Sequence, residues 1–189
     1  MSKKIVITGG IGYIGTELCK IYSGISWNNE IIVIDNRFVS ERVNQLRNWN
    51  MEFVHGNILD KELINKYCKD ADIVHHLAGI TDVPRVKSES NSTNDDKIKL
   101  IAEQGTQNIL DVISDKCKII FPSTHVVYEG INKVKNDILE DEDTKPMLAY
   151  AKSKAINEKQ LKDSGKNYII LRLGSVYGYS SDTARIDIM

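Results

Sequence analysis

Tyr150 and Lys154 stand four residues apart in the run PMLAYAKSKAINE, residues 146–158. On a helix that spacing places both side chains on one face. An ammonium ~4 Å from a phenol contributes on the order of 4 kcal/mol at an effective dielectric of ~20. At about 1.36 kcal/mol per pKa unit this is roughly three units, enough to bring a tyrosine of reference pKa ~10 close to neutrality. A phenol titrating there is an efficient general acid and base. The pair alone says little, because Tyr and Lys at this spacing are common on solvated helix surfaces. Thr124, 26 residues upstream at the end of an apolar run, adds a hydroxyl able to bind the oxygen that Tyr150 protonates. Taken alone, such a threonine is equally well explained by a turn in which it bonds the local backbone.

A partner for these groups is written at the other end of the chain, in KKIVITGGIGYIG, residues 3–15. The apolar run Ile5-Val6-Ile7 leads into Thr8, Gly9, Gly10, Gly12 and Gly15, and then Tyr13, Ile14, Leu18 and Ile21 recur at helical intervals. A buried strand, a glycine turn and a helix start form a phosphate-binding device. Residues without a Cβ let the backbone approach a pyrophosphate, and the helix N-terminus presents N–H groups to its charge. The spacing Gly9-x-x-Gly12-x-x-Gly15 is one residue wider at the front than the commonest dinucleotide fingerprint. The run EIIVIDN, residues 30–36, reads as a second buried strand ending in Asp35 and Asn36, with Asp35 20 residues past Gly15. A carboxylate there accepts both hydroxyls of an adenosine ribose and repels a 2′-phosphate, which predicts NAD over NADP. Arg37 beside it works against that preference. Asn57 offers a side-chain oxygen to the adenine amino group, with Ile58 packing on the ring; a plain turn role after Gly56 is an equal reading. With a dinucleotide site at one end, Thr124, Tyr150 and Lys154 become a hydride-transfer constellation.

The chain of 189 residues fits one domain, and 41% hydrophobic residues suit a globular core. Lys+Arg number 25 and Asp+Glu 26, so no basic field attracts nucleic acid or acidic lipid. No apolar run approaches the ~20 residues of a membrane span, and the amino terminus reaches its strand too soon for a signal peptide. Cys19, Cys68 and Cys117 are too scattered for a disulfide framework or a metal site. These features predict a cytoplasmic protein with no metal.

The elements that must position the chemical groups follow in order. A helix runs from the glycines to about Ser23, with Gly24 as its C-cap. Strand two (31–35) precedes a helix from Ser40, as N-cap, to Trp49. Strand three (51–55) precedes the helix KELINKYC, capped by Asp60. Strand four is DIVHHLA, 72–78, followed by Gly79, and residues 81–93 with Pro84 form a polar loop. A long helix spans Thr93 to about Ser114, and strand five, CKIIFPS, ends near Ser123. Residues 129–146 read as an exposed loop, 147–163 as a helix ended by Gly165, and 167–173 as strand six. The strands are continuous apolar runs alternating with helices. This is the signature of an α/β fold, a doubly wound parallel sheet of Rossmann type with helices on both faces. Ligands of such a sheet lie beyond the C-terminal ends of its strands. The polar clusters at Gly9–Gly15, Asp35, Asn57, Gly79, Ser123–Thr124 and Gly174–Ser175 all fall there.

On TGGIGYIG (8–15), Asp35, HHLAG (75–79), STHVVYEG (123–130), EDEDTKPMLAYAKSK (140–154) and LRLGSVYG (171–178), the chain resembles an extended short-chain dehydrogenase/reductase of the nucleotide-sugar epimerase/dehydratase family. The matches cover nearly the whole chain in family order. The resemblance implies NAD held by Gly9, Gly12, Tyr13, Ile14, Gly15, Asp35, Asn36, Asn57, Ile58, Leu77, Ala78, Gly79, Tyr150 and Lys154. It implies Tyr150 as catalytic base, Lys154 on the nicotinamide ribose, and Thr124 on the substrate oxygen. It also implies oxidation of a sugar C4 hydroxyl through a 4-keto intermediate, and a homodimer formed through the helices at 93–114 and 147–163. Residues 1–178 would form the cofactor domain and 179–189 the start of a substrate-binding region, since family members continue well past this point; the chain is therefore expected to be a truncated form. The family's dehydratases carry an acidic pair after the Ser/Thr, where this chain has His125 and Val126, which points to an epimerase or a simple reductase. Ala102 and Ser175 replace two family asparagines and Asn57 an aspartate. The competing reading is a module that keeps the fold and the nucleotide but regulates or docks instead of catalysing.

Overall fold

The computed structural model describes residues 2–25, 28–81, 92–131 and 135–180. Most of the polar loop expected around Pro84, and residues 181–189 of the expected substrate region, lie outside the described residues.

The elements alternate throughout: β1 (Lys4–Thr8), α1 (Tyr13–Gly24), β2 (Glu30–Asp35), α2 (Ser40–Asn48), β3 (Glu52–His55), α3 (Lys61–Cys68), β4 (Ile73–His76), α4 (Ser92–Val112), β5 (Lys118–Thr124), α5 (Ala149–Asp163) and β6 (Asn167–Leu173). A 3-10 turn, His125–Tyr128, follows β5 directly. The strands form one sheet in the order β3-β2-β1-β4-β5-β6, and every pairing is parallel. The order reverses between β1 and β4, which opens a crevice beyond their C-terminal ends.

Alternation along the strands splits the core into two layers. Ile5, Ile7 and Val33 meet Cys19 of α1 and Leu46 of α2 on one face. Val6, Ile32, Val74 and Ile119 meet Ile64 of α3, Ile109 of α4, Ile113 just after it and Leu161 of α5 on the other. Each fully buried aliphatic side chain stabilises the fold by about 1.5–3 kcal/mol relative to exposure. All three cysteines are buried and free. Burial pushes the Cys19 and Cys68 thiols up to about 12, so in the folded chain they pack as small apolar groups.

Most boundaries agree with the sequence pattern, and the exceptions have local causes. Asp60 caps α3, its carboxylate accepting from the Leu63 N–H at 3.0 Å, and Gly165 leaves α5 at φ +68, a left-handed turn that suits glycine. Ser40 is not the cap of α2. It is the first helical residue, and Val39 holds the extended cap position, packs on the apolar layer and takes the Arg42 and Val43 N–H groups on its carbonyl. Apolar anchorage of Val39 outweighs side-chain capping there. Gly24 belongs to the last turn of α1, which is closed by the Ile25 N–H on the Tyr22 carbonyl. Strand β6 differs most from expectation. Its apolar sequence predicts cover on both faces, yet Tyr168, Ile169 and Leu171 are 37–43% exposed, because β6 is the sheet's edge and no described element follows to cover it.

A buried ion pair ties β6 to the rest of the fold. The Arg172 guanidinium grips both carboxylate oxygens of Glu158 on α5, with Nη2 to Oε2 at 2.6 Å. Ser123 of β5 donates to the same carboxylate. Arg172 also donates to the Tyr128 hydroxyl and the Glu140 carbonyl, which anchors the 3-10 turn and the loop 129–146. Burial works against the Glu158 carboxylate, but hydrogen bonds from Arg172 and Ser123 outweigh it and hold its pKa below the usual value. Removing one partner of such a pair strands the other charge. Arg172→Met is expected to lower the unfolding free energy by about 3–5 kcal/mol, read as a fall in the urea midpoint. A loss below about 1 kcal/mol would show that the pair contributes no more than an exposed one.

Candidate functional site

The site begins with backbone geometry at the end of β1. Gly9 has φ +71, and a Cβ there would sit 2.7–2.9 Å from the Leu77–Ala78 backbone. A Cβ on Gly15 would sit 2.5 Å from the Gly9 carbonyl oxygen. Both contacts are with backbone, so neither residue can be enlarged without moving the turn. Gly12 is the N-cap of α1 and brings no capping side chain, and no acidic residue occupies the first turn. The helix therefore presents its N-terminal amides and its positive end to the crevice.

At the end of β2, Asp35 is buried, and each of its carboxylate oxygens accepts one backbone N–H: Ile11 on Oδ2 at 3.2 Å and Arg37 on Oδ1 at 2.9 Å. Each oxygen keeps acceptor capacity toward the crevice. After β3, the Asn57 side-chain oxygen accepts the Leu59 N–H at 3.0 Å. This is the turn role that sequence reading held equal with adenine recognition. Ile58 is nearly buried because its side chain fills the space where Gly105 of α4 lacks a Cβ.

Below the crevice runs a buried polar chain. His76 of β4 bonds Thr8 through Nδ1 and Thr106 through Nε2, both at 2.9 Å, and Asn157 donates to Thr106 and to the Ala102 carbonyl. Burial pushes the His76 pKa down to about 3, with the charge of Lys154 adding to the effect. A neutral imidazole with hydrogen on Nδ1 satisfies every bond: Asn157 donates to Thr106, Thr106 to Nε2, and Nδ1 to Thr8. Asn157, one turn beyond Lys154, thus supports the α4 backbone at Ala102.

Thr124 ends β5 with its hydroxyl oxygen accepting the Val126 N–H at 3.2 Å, so its own proton remains available to a ligand. Tyr150 and Lys154 share one face of α5. The Lys154 ammonium lies 5.9 Å from the centre of the Tyr150 ring and 4.5 Å from that of Phe121, and it donates to the Pro122 carbonyl at 2.8 Å. Burial lowers the Lys154 pKa to about 8.

These parts surround one cavity of about 590 Å³. It is lined by Gly9, Gly12, Tyr13, Ile14, Gly15, Asp35, Asn36, Asn57, Ile58, Leu77, Ala78, Gly79, Thr124, Tyr150 and Lys154, the residues expected to hold the cofactor and to carry the chemistry. It is also lined by residues the sequence did not single out as ligand contacts, among them Thr81, Ile101, Pro122, Val126 and Val176. Ile101 was legible only as an apolar helix position, and Val126 carries no chemical signal of its own. His125 turns away, with Nδ1 at 3.2 Å from the Leu173 carbonyl, and is absent from the lining. Among the described residues no group of His, Cys, Asp and Glu is arranged to hold a metal. No helix among them is long and apolar enough to cross a membrane.

A parallel sheet with this order, a glycine turn at the first crossover and an acid closing β2 define a dinucleotide-binding protein of the dehydrogenase/reductase type. The profile of the NAD dependent epimerase/dehydratase family matches residues 5–188, and the chain belongs to that family. Its cofactor is NAD. The chain is 31% identical over 197 residues to dTDP-D-glucose 4,6-dehydratase of Dictyostelium discoideum, covering 93% of this chain and 44% of that protein. It is 31% identical over 205 residues to CDP-paratose 2-epimerase of Salmonella typhi, covering 93% and 58%. Among solved structures, UDP-glucose 4-epimerase from Brucella ovis in complex with NAD superposes with a TM-score of 0.76 at 27% identity, covering 95% of this chain and 54% of that one. The chain thus spans about half the length of the relatives it matches.

The residues present fit such a cofactor: the uncapped α1 N-terminus would receive a pyrophosphate and Asp35 an adenosine ribose. The buried ammonium beside the cavity makes stability depend on pH. Lys154 titrates near 8 when folded and at 10.5 otherwise, so between these values the unfolded chain binds more protons. Stability must therefore rise with pH from 8 to 10.5, and the cost is fully present below 8. At about 1.36 kcal/mol per unit the whole contribution is about 3 kcal/mol. Lys154→Met should flatten that rise, seen as a wild-type-minus-variant difference in unfolding free energy between pH about 7 and about 10. Parallel pH profiles for the two proteins would show that Lys154 is not charge-averse.

Proposed function

We propose that the chain is the cofactor-binding and catalytic part of an NAD-dependent nucleotide-sugar epimerase, or of a related reductase. Residues 1–178 form the dinucleotide domain in this reading, and 179–189 open a substrate-binding region. The observation that carries it is the shared cavity. Thr124, Tyr150 and Lys154 line the same space as the glycine turn and Asp35.

When bound, NAD supplies a hydride acceptor. Tyr150, as phenolate, takes the proton of the sugar C4 hydroxyl as that carbon gives up hydride, leaving a 4-keto sugar. Return of the hydride to C4, with Tyr150 giving the proton back to the same oxygen, would complete the cycle. Lys154 keeps the phenolate stable and holds the nicotinamide ribose, and its burial lowers its pKa to about 8. Thr124 donates to the sugar oxygen while its own oxygen is held by Val126. Asp35, at the adenosine end, is the one carboxylate among the described lining residues, and Val126 and His125 follow Thr124 without an acid facing the cavity. A dehydratase needs an acid and a base near the sugar to eliminate water. Their absence among the described lining residues favours epimerisation or plain reduction. A homodimer through α4 and α5 belongs to the same proposal, supported by Leu100, 55% exposed on α4.

The test is incubation of the protein with NAD and a panel of UDP-, dTDP- and CDP-sugars, followed by reduced-nicotinamide absorbance and product identification. Tyr150→Phe should lower turnover by about 10²–10⁴-fold with NAD affinity nearly unchanged. Wild-type turnover in that variant would sink the mechanism. Absence of any reduced nicotinamide or altered sugar across the panel would sink the enzyme reading and favour a nucleotide-binding module.

A further inference from the structure

Helix α5 carries the tyrosine of the proposed reaction, yet its own sequence does little to hold its first turn. Leu148 is the N-cap and supplies no side-chain hydrogen bond, and no acidic residue occupies the first turn. The acceptor comes from another segment. Glu129, directly after the 3-10 turn, takes the Met147 N–H at 2.5 Å and the Leu148 N–H at 2.6 Å, both on Oε1. A carboxylate on backbone amides makes short, charge-assisted bonds, and its charge suits the positive end of a helix. The backbone on either side of Glu129 is fastened to the same stretch. The Lys145 N–H donates to the Val127 carbonyl at 2.8 Å, and the Gly130 N–H donates to the Lys145 carbonyl at 2.9 Å. A Cβ on Gly130 would sit 2.5 Å from that Lys145 oxygen, so a side chain at 130 would force the two segments apart.

The turn that leads to Glu129 starts at Thr124, whose hydroxyl oxygen caps it by accepting the Val126 N–H at 3.2 Å. Tyr150 lies two residues past Leu148, in the first turn of α5. One side chain thus joins the turn begun by Thr124 to the start of the helix that carries Tyr150. Farther along, α5 is held by Lys154 on the Pro122 carbonyl and by Asn157 on the Ala102 carbonyl. Both contacts act beyond the first turn, which leaves the amides ahead of Tyr150 to Glu129. Glu129 is absent from the cavity lining, so it acts through the helix and not on a ligand.

We propose that Glu129 is a positioning residue: its carboxylate clamps the entry of α5 to the turn after Thr124 and so sets where the Tyr150 hydroxyl stands relative to the Thr124 hydroxyl. The proposal rests on the roles given above to Thr124 and Tyr150, whose hydroxyls must meet on one sugar oxygen. A misplacement of about 1 Å there costs up to roughly 10²-fold in rate. The test is nuclear magnetic resonance of protein with isotope-labelled tyrosine rings, in which the signal lost in Tyr150→Phe is that of Tyr150. Glu129→Gln keeps an oxygen acceptor of the same reach without the charge, Glu129→Asp keeps the charge on a side chain one carbon too short, and Glu129→Ala loses both. Asp and Ala should move or broaden the Tyr150 signal, and Gln should leave it in place. Calorimetric titration should give each variant a Kd for NAD within about threefold of wild type, since the dinucleotide cradle lies elsewhere. With a sugar of the panel that reduces the nicotinamide, Asp and Ala should lower kcat by about tenfold or more and change KM by less than about threefold, with Gln restoring most of the loss. A Tyr150 signal that stays in place in Asp and Ala while the urea midpoint falls shows a cap that only stabilises the helix, and overturns the proposal. A Gln variant that behaves like Ala also overturns it, because charge and not placement then carries the effect. If no sugar of the panel reacts, the enzyme reading fails on its own test, and the Tyr150 signal alone decides whether Glu129 sets the ring.

Discussion

The structure depends first on a backbone contact. At the end of β1 the chain must turn in the left-handed region at Gly9 while touching the backbone that leaves β4 at Leu77–Ala78. A few residues on, Gly15 must pass the Gly9 carbonyl at a distance that no side chain allows. These approaches set where α1 begins, and so where its amides point. They also hold the two central strands at the separation from which the crevice opens. The buried chain from Thr8 through His76 and Thr106 to Asn157 fastens the same corner from beneath, linking β1 and β4 to α4 and α5. The glycine turn and the helix that carries the tyrosine are thus joined through one buried network.

The fold treats its buried charges in two ways. Glu158 and Arg172 are paired with good geometry and satisfied on every side, and they give fixed positions to Ser123, Tyr128 and the loop that closes on α5. Lys154 has no carboxylate within ion-pairing distance among the described residues. It rests on the Phe121 ring and one carbonyl, in surroundings that favour the neutral amine. The first arrangement organises the frame. The second keeps a reactive group in tension with its environment, a pattern that marks working sites more often than structural ones.

Much of this was legible in the amino-acid sequence because it rests on local signals. Continuous apolar strands, the glycine run, Asp35 at the end of β2 and the Tyr150–Lys154 spacing each carry their meaning within a few residues, and the sheet and the cavity lining follow from them. What escaped depends on contacts between distant segments. Ser40 has the residue type of a cap, but Val39 packs on the core and holds that position. Asn57 has one side-chain oxygen, and only the fold shows it engaged with Leu59. Asn157 supporting Ala102, and Glu129 holding the Met147 and Leu148 amides, join residues that no window of sequence brings together. The exposure of β6 is of the same kind, since an apolar run predicts burial without saying what will do the burying.

That edge carries a consequence of its own. Natural sheets guard an outer strand with charge, proline or a bulge. In β6 the run NYIILRL contains a single charged residue, Arg172, and it is turned inward onto Glu158. Among the described residues the outer rail of the sheet is therefore a template with apolar flanks and no guard. A domain of this design, held at high concentration with nothing laid against β6, has a direct route to self-association by strand addition, and the first amides to gain protection from hydrogen exchange on assembly would be those of residues 167–173.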